Sequence, residues 1–531
     1  MAAVFLSLVS CRTSETESNN LAAGTTAQIK VNFMGTAFKD NNSRSGAQAS
    51  IAGKNLSLGS SKEQSRSVLI TPSTAMTVGL SPVSSNGKVS AQAGLKNTMA
   101  VVSGDPLTNG VKFRLIAYKT SDGSYQSYQD YTIGQAAPTI TLDNGVGYTI
   151  VAYSYGTSSL PAITPGETSN ISNAQIAYDN LNRDLMYQSQ SYTPSSTNTT
   201  LNLTLMHQLS QITTNVMTNI GALNNVVNAV LTPNFSNGTF PLNTGVMTGR
   251  TTSAPQSIVF NQNDFPAAVN TTVSAPAVLV NSSTTGNGSS FSADVNIDGT
   301  TKTVNFANAF DITPGTQNNL NITISGCGAY LGLGQTQWKA FACQNLGATP
   351  GIDAFSPEAG NHGAKYQWGS TGKVADQNTT WIDQVTDQTN NGAIAGWNMM
   401  QPADDLWNGN TGGGTNNPCG NGYRVPTNTE WQAVLDNNTL ERVGSWANDG
   451  NYTSALYIKN ASGARTLMLP ATGIRDGFIG EPINSRGAWG YYWSSIGDPI
   501  GDSYILRLDG STAQVVTNDR IFGLPVRCIA Q

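Results

Sequence analysis

The chain is short of charge, of histidine and of long apolar runs, and each shortage removes a class of function. Charged residues make up 11% of its 531 positions, against roughly 25% in ordinary soluble domains. The net charge is −5 and the lysines and arginines are scattered. No basic cluster is therefore present to grip a nucleic acid backbone. Two histidines occur, His207 and His362, far apart in the sequence. A histidine-based metal cluster or a Ser/His/Asp triad has too little to work with. Gly-x-Ser-x-Gly, His-Glu-x-x-His and phosphate-binding Gly-Lys-Ser/Thr motifs are missing, so the sequence predicts no enzyme. No segment approaches the ~20 apolar residues of a transmembrane helix. Convincing helical periodicity is also missing until residue 427.

What replaces charge is Gly (54 residues), with Asn, Thr and Ser, the composition of secreted β-proteins with long polar loops. The chain is too long for one core, so several domains are expected. Alternation of apolar and polar residues begins at Ile29, Val31 and Phe33. It recurs at Val111–Leu115 and at Tyr148–Tyr153. A crossover over 156–185, rich in Ser, Pro and Asn, separates these from a second series. That series runs through Leu201, Leu203 and Leu205 to Val295–Ile297, where Asp298-Gly299 signals a type I′ hairpin. Leu320, Ile322 and Ile324 close it at Gly326. The pattern is mainly β and predicts two sandwiches, over 27–170 and 171–326.

Five cysteines are present: Cys11, Cys327, Cys343, Cys419 and Cys528. An odd number in a secreted protein leaves one thiol to explain. The apolar stretch before it, ending Leu8-Val9-Ser10, makes Cys11 resemble the lipidated cysteine of a bacterial lipobox, although no basic segment precedes it. Residues 1–26 then read as a lipoprotein signal remnant and tether. Glu15 and Glu17 are similar to the signal that sends lipoproteins of the Bacteroidetes to the outer face of the outer membrane. The other four cysteines allow three pairings. Cys327–Cys343 with Cys419–Cys528 is preferred because all four lie in the last third, but the sequence leaves the choice open.

The middle of the chain resembles the fimbrillins, subunits of Bacteroidetes pili. The likeness rests on Tyr153-Ser154-Tyr155, on Leu203 to Ile212 around His207, and on Asp311-Ile312-Thr313-Pro314-Gly315. It implies two tandem transthyretin-like sandwiches and a structural role for His207. It also implies removal of an N-terminal strand by a protease that cuts after arginine. A strand from the next subunit would then fill the groove by strand addition. Arg44 and Arg66 are the candidate processing positions.

The last third carries a sharper likeness. Its motifs run in order: Trp338–Ala348, Tyr366-Gln367-Trp368-Gly369, Pro418–Thr427 with Glu430-Trp431, Leu469–Arg475, Gly490–Ser495 and Val526-Arg527-Cys528. This is similar to the Fibrobacter succinogenes major paralogous domain, of α+β C-type lectin-like fold, and covers 327–531. Thr427 and Glu430 predict a capping box, with Trp431, Val434 and Leu435 on one helix face. The likeness implies an end-to-end Cys419–Cys528 disulfide. Trp381, Trp397, Trp407 and Trp446 lie in Gly/Asn/Asp-rich loops and are the candidate ligand-stacking residues.

Calcium-dependent lectins of this fold use a Glu-Pro-Asn or Gln-Pro-Asp triplet. Here Gln401-Pro402-Ala403-Asp404 and Glu481-Pro482-Ile483-Asn484 each carry one residue too many, and Trp493-Ser494-Ser495 lacks the side-chain oxygens of the metal-binding strand. No cofactor is expected beyond a structural calcium, with Asp404, Asp405 and Asn408 as candidate ligands. The expected protein is a surface lipoprotein of the outer membrane or fimbrium, tied to the membrane by its lipid alone. It would act in adhesion as a tip or accessory pilus subunit. Its partners would be other pilus subunits and a host or bacterial surface protein or glycan, with no nucleic acid. The alternative is a glycan-capturing lipoprotein outside any pilus.

Overall fold

The computed structural model describes residues 25–39, 64–83, 105–179, 183–195, 199–373, 379–407, 414–477 and 483–531. Cys11, Glu15, Glu17, Arg44, Asn408, Glu481 and Pro482 lie outside the described residues. The molecule is mainly β. A seven-stranded first sheet runs, edge to edge, through Tyr125–Thr132, Lys112–Lys119, Tyr148–Ser154, Met186–Tyr192, Thr200–His207, Thr26–Ala37 and Thr139–Asp143. Strict alternation puts Ile29, Val31, Leu115, Ile150, Leu203 and Leu205 in one core. The central strands are apolar on both faces. Ile116, Val151 and Tyr153 therefore enter a second core with Ile176, Phe240 and Leu242, under the pair Gln175–Tyr178 and Gly238–Pro241.

The second and third sheets face each other across one core containing Val78, Ile212, Leu231, Phe306 and Ile322. The second contains Ser210–Thr218, Gln317–Gly326, Thr74–Pro82 and Gln64–Thr71. The third contains Gln256–Ile258, Leu223–Thr232, Ser289–Ile297 and Thr300–Phe310. Asp298 and Gly299 form the expected two-residue turn, with φ of 46° and 80°, both positive as a type I′ turn requires.

The sheets do not divide at residue 170. The polar crossover carries Gln175–Tyr178 onto the first sheet, and Met186–Tyr192 and Thr200–His207 complete that sheet. The hairpin Gln64–Pro82, near the start of the chain, joins the second sheet, where Leu80 pairs with Leu320. Arg66 lies in this hairpin, paired with Val78, and its guanidinium donates to the Asn308 carbonyl at 3.0 Å. Cleavage after Arg66 would require this ladder to open, since a protease needs an extended, unpaired segment.

The last third has short strands and long loops around two cores. The strands Thr439–Val443, Ala455–Lys459 and Arg465–Pro470 form one sheet, and Gly490–Gly497, Ser503–Leu508 and Ala513–Asn518 form another. The helix Asn428–Asn437 has the complete capping box of Thr427 and Glu430, and buries Trp431 and Val434. A shorter helix, Gln384–Thr389, has too few turns to show periodicity in the sequence. The tip of the early hairpin docks here. The Pro72 and Ser73 carbonyls accept from the amides of Cys343 and Cys327, each at 2.8 Å, and Ala75 enters the core beside both cysteines.

Candidate ligand-binding face

Two disulfides frame the last third. Cys327–Cys343 spans Cα atoms 5.0 Å apart, and Cys419–Cys528 spans 5.7 Å across a separation of 109 residues. Closing a loop of that length is worth about 5 kcal/mol in the chain-entropy model. With few ladder hydrogen bonds available, buried arginines hold the loops. Arg527 is fully buried and donates to Asn345 Oδ1 and to the carbonyls of Ala342, Cys343 and Met468. Burial pulls its pKa down to about 10. Arg475 binds Asp387 Oδ1 at 2.7 Å together with the carbonyls of Asp387, Asn390 and Gly392. Arg520 lies under the loop carbonyls of Pro402 and Asp502.

Arg424 pairs with Glu430. Burial alone would raise the Glu430 carboxyl, but Arg424 and the Thr427 amide outweigh it and hold it below its ordinary value. None of these pins is visible to a reading that assigns charge to the surface. A clue lies in their positions inside the apolar motifs Tyr423–Val425, Ile474-Arg475 and Val526–Cys528.

The tryptophans chosen from sequence separate. Trp407 is fully buried between Trp368 and Trp493, its indole N–H shared by the Ser370 and Asn416 carbonyls. It is a core residue, because its flanking loop folds inward. Trp397 is also buried, donating to the Ile521 carbonyl at 2.8 Å. Trp381 is half-buried and stacks on Tyr366. Trp446 alone of the four combines partial exposure with an indole nitrogen that has no partner. Its backbone is left-handed at φ +52°, a conformation that costs a bulky residue free energy and concentrates at functional positions.

Of the candidate calcium ligands, Asp404 already has a cation beside it: its carboxylate pairs with the buried Arg520 guanidinium. Among the described residues no group of three His, Cys, Asp or Glu is arranged to hold a metal ion. His207 ends a strand of the first sheet. Its ring stacks on Phe38 and lies 2.7 Å from Asp184. His362 is fully buried with its ring edge-on to Tyr452. Burial, then Lys365 and Arg486, pull its pKa well below the ordinary histidine value.

In the first sheet, Thr26–Ala37 bridges two neighbours: Thr26–Lys30 run antiparallel to Thr139–Asp143, and Lys30–Ala37 run parallel to Thr200–Met206. It is second from the edge of its sheet and is formed by the first described residues of the chain. Residues 98–337 match the fimbrillin-like family. The fimbrillin-like segment takes in strands of all three large sheets and ends in the short hairpin Gly328–Ala340. Solved structures with some likeness include a candidate cell adhesion protein from Bacteroides uniformis, at 13% identity and TM-score 0.30, covering 40% of this chain and 86% of that one. A candidate cell adhesion protein from Bacteroides fragilis matches at 12% and 0.27, covering 56% and 92%. A fimbrial assembly protein from Parabacteroides distasonis matches at 8% and 0.26, covering 43% and 86%. No curated protein matches the chain. No helix among the described residues is long and apolar enough to cross a membrane.

Proposed function

We propose that the chain is a lipid-anchored surface adhesion subunit of pilus type. Two transthyretin-like sandwiches form its stalk, and a C-type lectin-like domain of the major paralogous kind, over 327–531, presents the ligand-binding loops. The fimbrillin-like match supports the stalk. The observation that carries the assembly step is the placement of Thr26–Ala37, second from the sheet edge, whose first half pairs with Thr139–Asp143 and whose second half pairs with Thr200–Met206. Its withdrawal would uncover two rows of unpaired backbone groups and a groove floored by Leu203 and Ile140. A strand from a following subunit would restore both. Arg44, or Arg66 once its ladder opens, is the candidate for the cut that frees it. Trp446, Trp489 and Tyr491, half-buried at the surface of the last third, also support the second reading, glycan capture by a lipoprotein outside any pilus.

Mass spectrometry of the mature protein, joined to electron microscopy of surface fibres, tests the proposal. The expected result is a lipidated Cys11 on the membrane form and an N-terminus beyond Ala37 on subunits within fibres. Fibre subunits that keep Thr26–Ala37, or a protein found only as a membrane monomer, would overturn it.

A further inference from the structure

Arg507 is the exception among the arginines of the last third. Arg475, Arg520 and Arg527 are saturated with acceptors, whereas the Arg507 side chain forms no hydrogen bond or ion pair with a described residue, and its Nε is buried without a partner. It is only half-buried, so its guanidinium is reachable. Arg507 pairs with Tyr491 on one side and Gln514 on the other, which places the three side chains in a row on one face of the sheet. Directly opposed residues on such a face have Cβ atoms roughly 5 Å apart. Trp489 extends the row: its ring stacks on Tyr491 with centroids 6.3 Å apart and planes within 20°. The Arg507 guanidinium lies 5.3 Å from the Trp489 ring centroid, and Gln514 is exposed.

We propose that this Trp489–Tyr491–Arg507–Gln514 row binds a sugar ring that carries a carboxylate. Parallel aromatic rings offer a flat apolar surface to the C–H face of a pyranose. A guanidinium with unused donors matches a carboxylate through two parallel hydrogen bonds, and the Gln514 amide reaches ring hydroxyls. A neutral sugar would leave the arginine unpaired. Trp446 stands at the end of the same sheet against the turn at Gly510, where a Cβ on the glycine would lie 3.0 Å from the tryptophan side chain.

The inference rests on reading the last third as the ligand-bearing part, but binding in solution does not require fibres. Fibres without binding would overturn this inference alone, and binding without fibres would overturn the pilus reading alone. The test is calorimetric titration of the full chain with tetragalacturonate, 3′-sialyllactose and neutral maltotetraose. Binding of at least one acidic probe at least tenfold tighter than maltotetraose is expected. Tight binding of the first alone identifies a uronic acid, of the second alone a sialic acid, and of both the shared chemistry. Arg507→Gln and Trp489→Ala should each weaken acidic binding at least tenfold. Gln514→Ala, at an exposed position that cannot unsettle the core, should weaken it about threefold. No preference for acidic probes, or unchanged binding by Arg507→Gln with an unchanged melting curve, would overturn the proposal.

Discussion

The three large sheets and the last third solve the same problem with different materials. In the sheets, long ladders satisfy the backbone and alternating apolar side chains fill the cores. A buried cation such as Arg114 is matched by the carboxylates of Asp130 and Glu167. In the last third the strands are short and the loops long, so their carbonyls must find donors elsewhere. Arg475, Arg520 and Arg527 supply them from inside, and two disulfides close the frame. A sheet distributes its stability over many weak, repeated contacts, whereas a loop-rich domain concentrates it in a few residues. The second kind frees its surface for recognition, because the loops are held from beneath.

Reduction of the disulfides should break the comparison most visibly. Loss of Cys419–Cys528 removes about 5 kcal/mol and loss of the shorter Cys327–Cys343 loop about 3 kcal/mol. Calorimetry should show the transition of the last third falling or vanishing while that of the sheets stays put. One transition that shifts as a whole would show instead that the two regions unfold together. The converse is Ile29→Ala, which hollows the first core at a fully buried position and should cost about 2–5 kcal/mol. Its effect should be confined to the first sheet, read by hydrogen exchange. Protection lost around Trp431 as well would contradict the division.

The smallest effect is a slope. The folded pKa of His362 lies well below its unfolded value, so below about pH 6.5 the unfolded chain takes a proton that the folded chain refuses. Stability should therefore fall with pH by up to about 1.4 kcal/mol per unit between pH 6.5 and 5. His362→Gln should remove that slope whatever it does to absolute stability. Denaturant midpoints of both proteins across this range decide the matter.

The strand alternation of the sheets was legible because period-two patterning reports directly which face is buried. Thr200–His207, Ser210–Thr218 and Gln317–Gly326 all carry it. Partner choice was not legible: nothing within Gln64–Pro82 says that its mate is Gln317–Gly326 rather than a neighbour in sequence. In the last third, the capping box announced its helix because the signal is local. The tryptophans were harder. Loop composition suggested exposure for Trp407, yet burial is decided by how the loop folds, which composition does not encode. Arg527 and Arg475 went unnoticed because a buried charge is identified by its acceptors, and those are carbonyls that any residue supplies. Arg507 lay within a strand and Trp489 immediately before one, not in the Gly/Asn/Asp-rich loops where the search for exposed aromatics looked.

The early hairpin has a consequence in time. Ser81 bonds to Asn321, 240 residues further along, and the hairpin tip holds the amides of Cys327 and Cys343. As the chain emerges from a ribosome or a translocon, Gln64–Pro82 appears early but its place in the second sheet does not exist until Gly326 has followed. The first sheet can close around residue 207 while the hairpin waits, exposed along both edges. Contacts this distant fold slowly and leave strands open to wrong partners. The hairpin is made early and used late, so the same segment that joins the second sheet to the last third also sets when that joint can form.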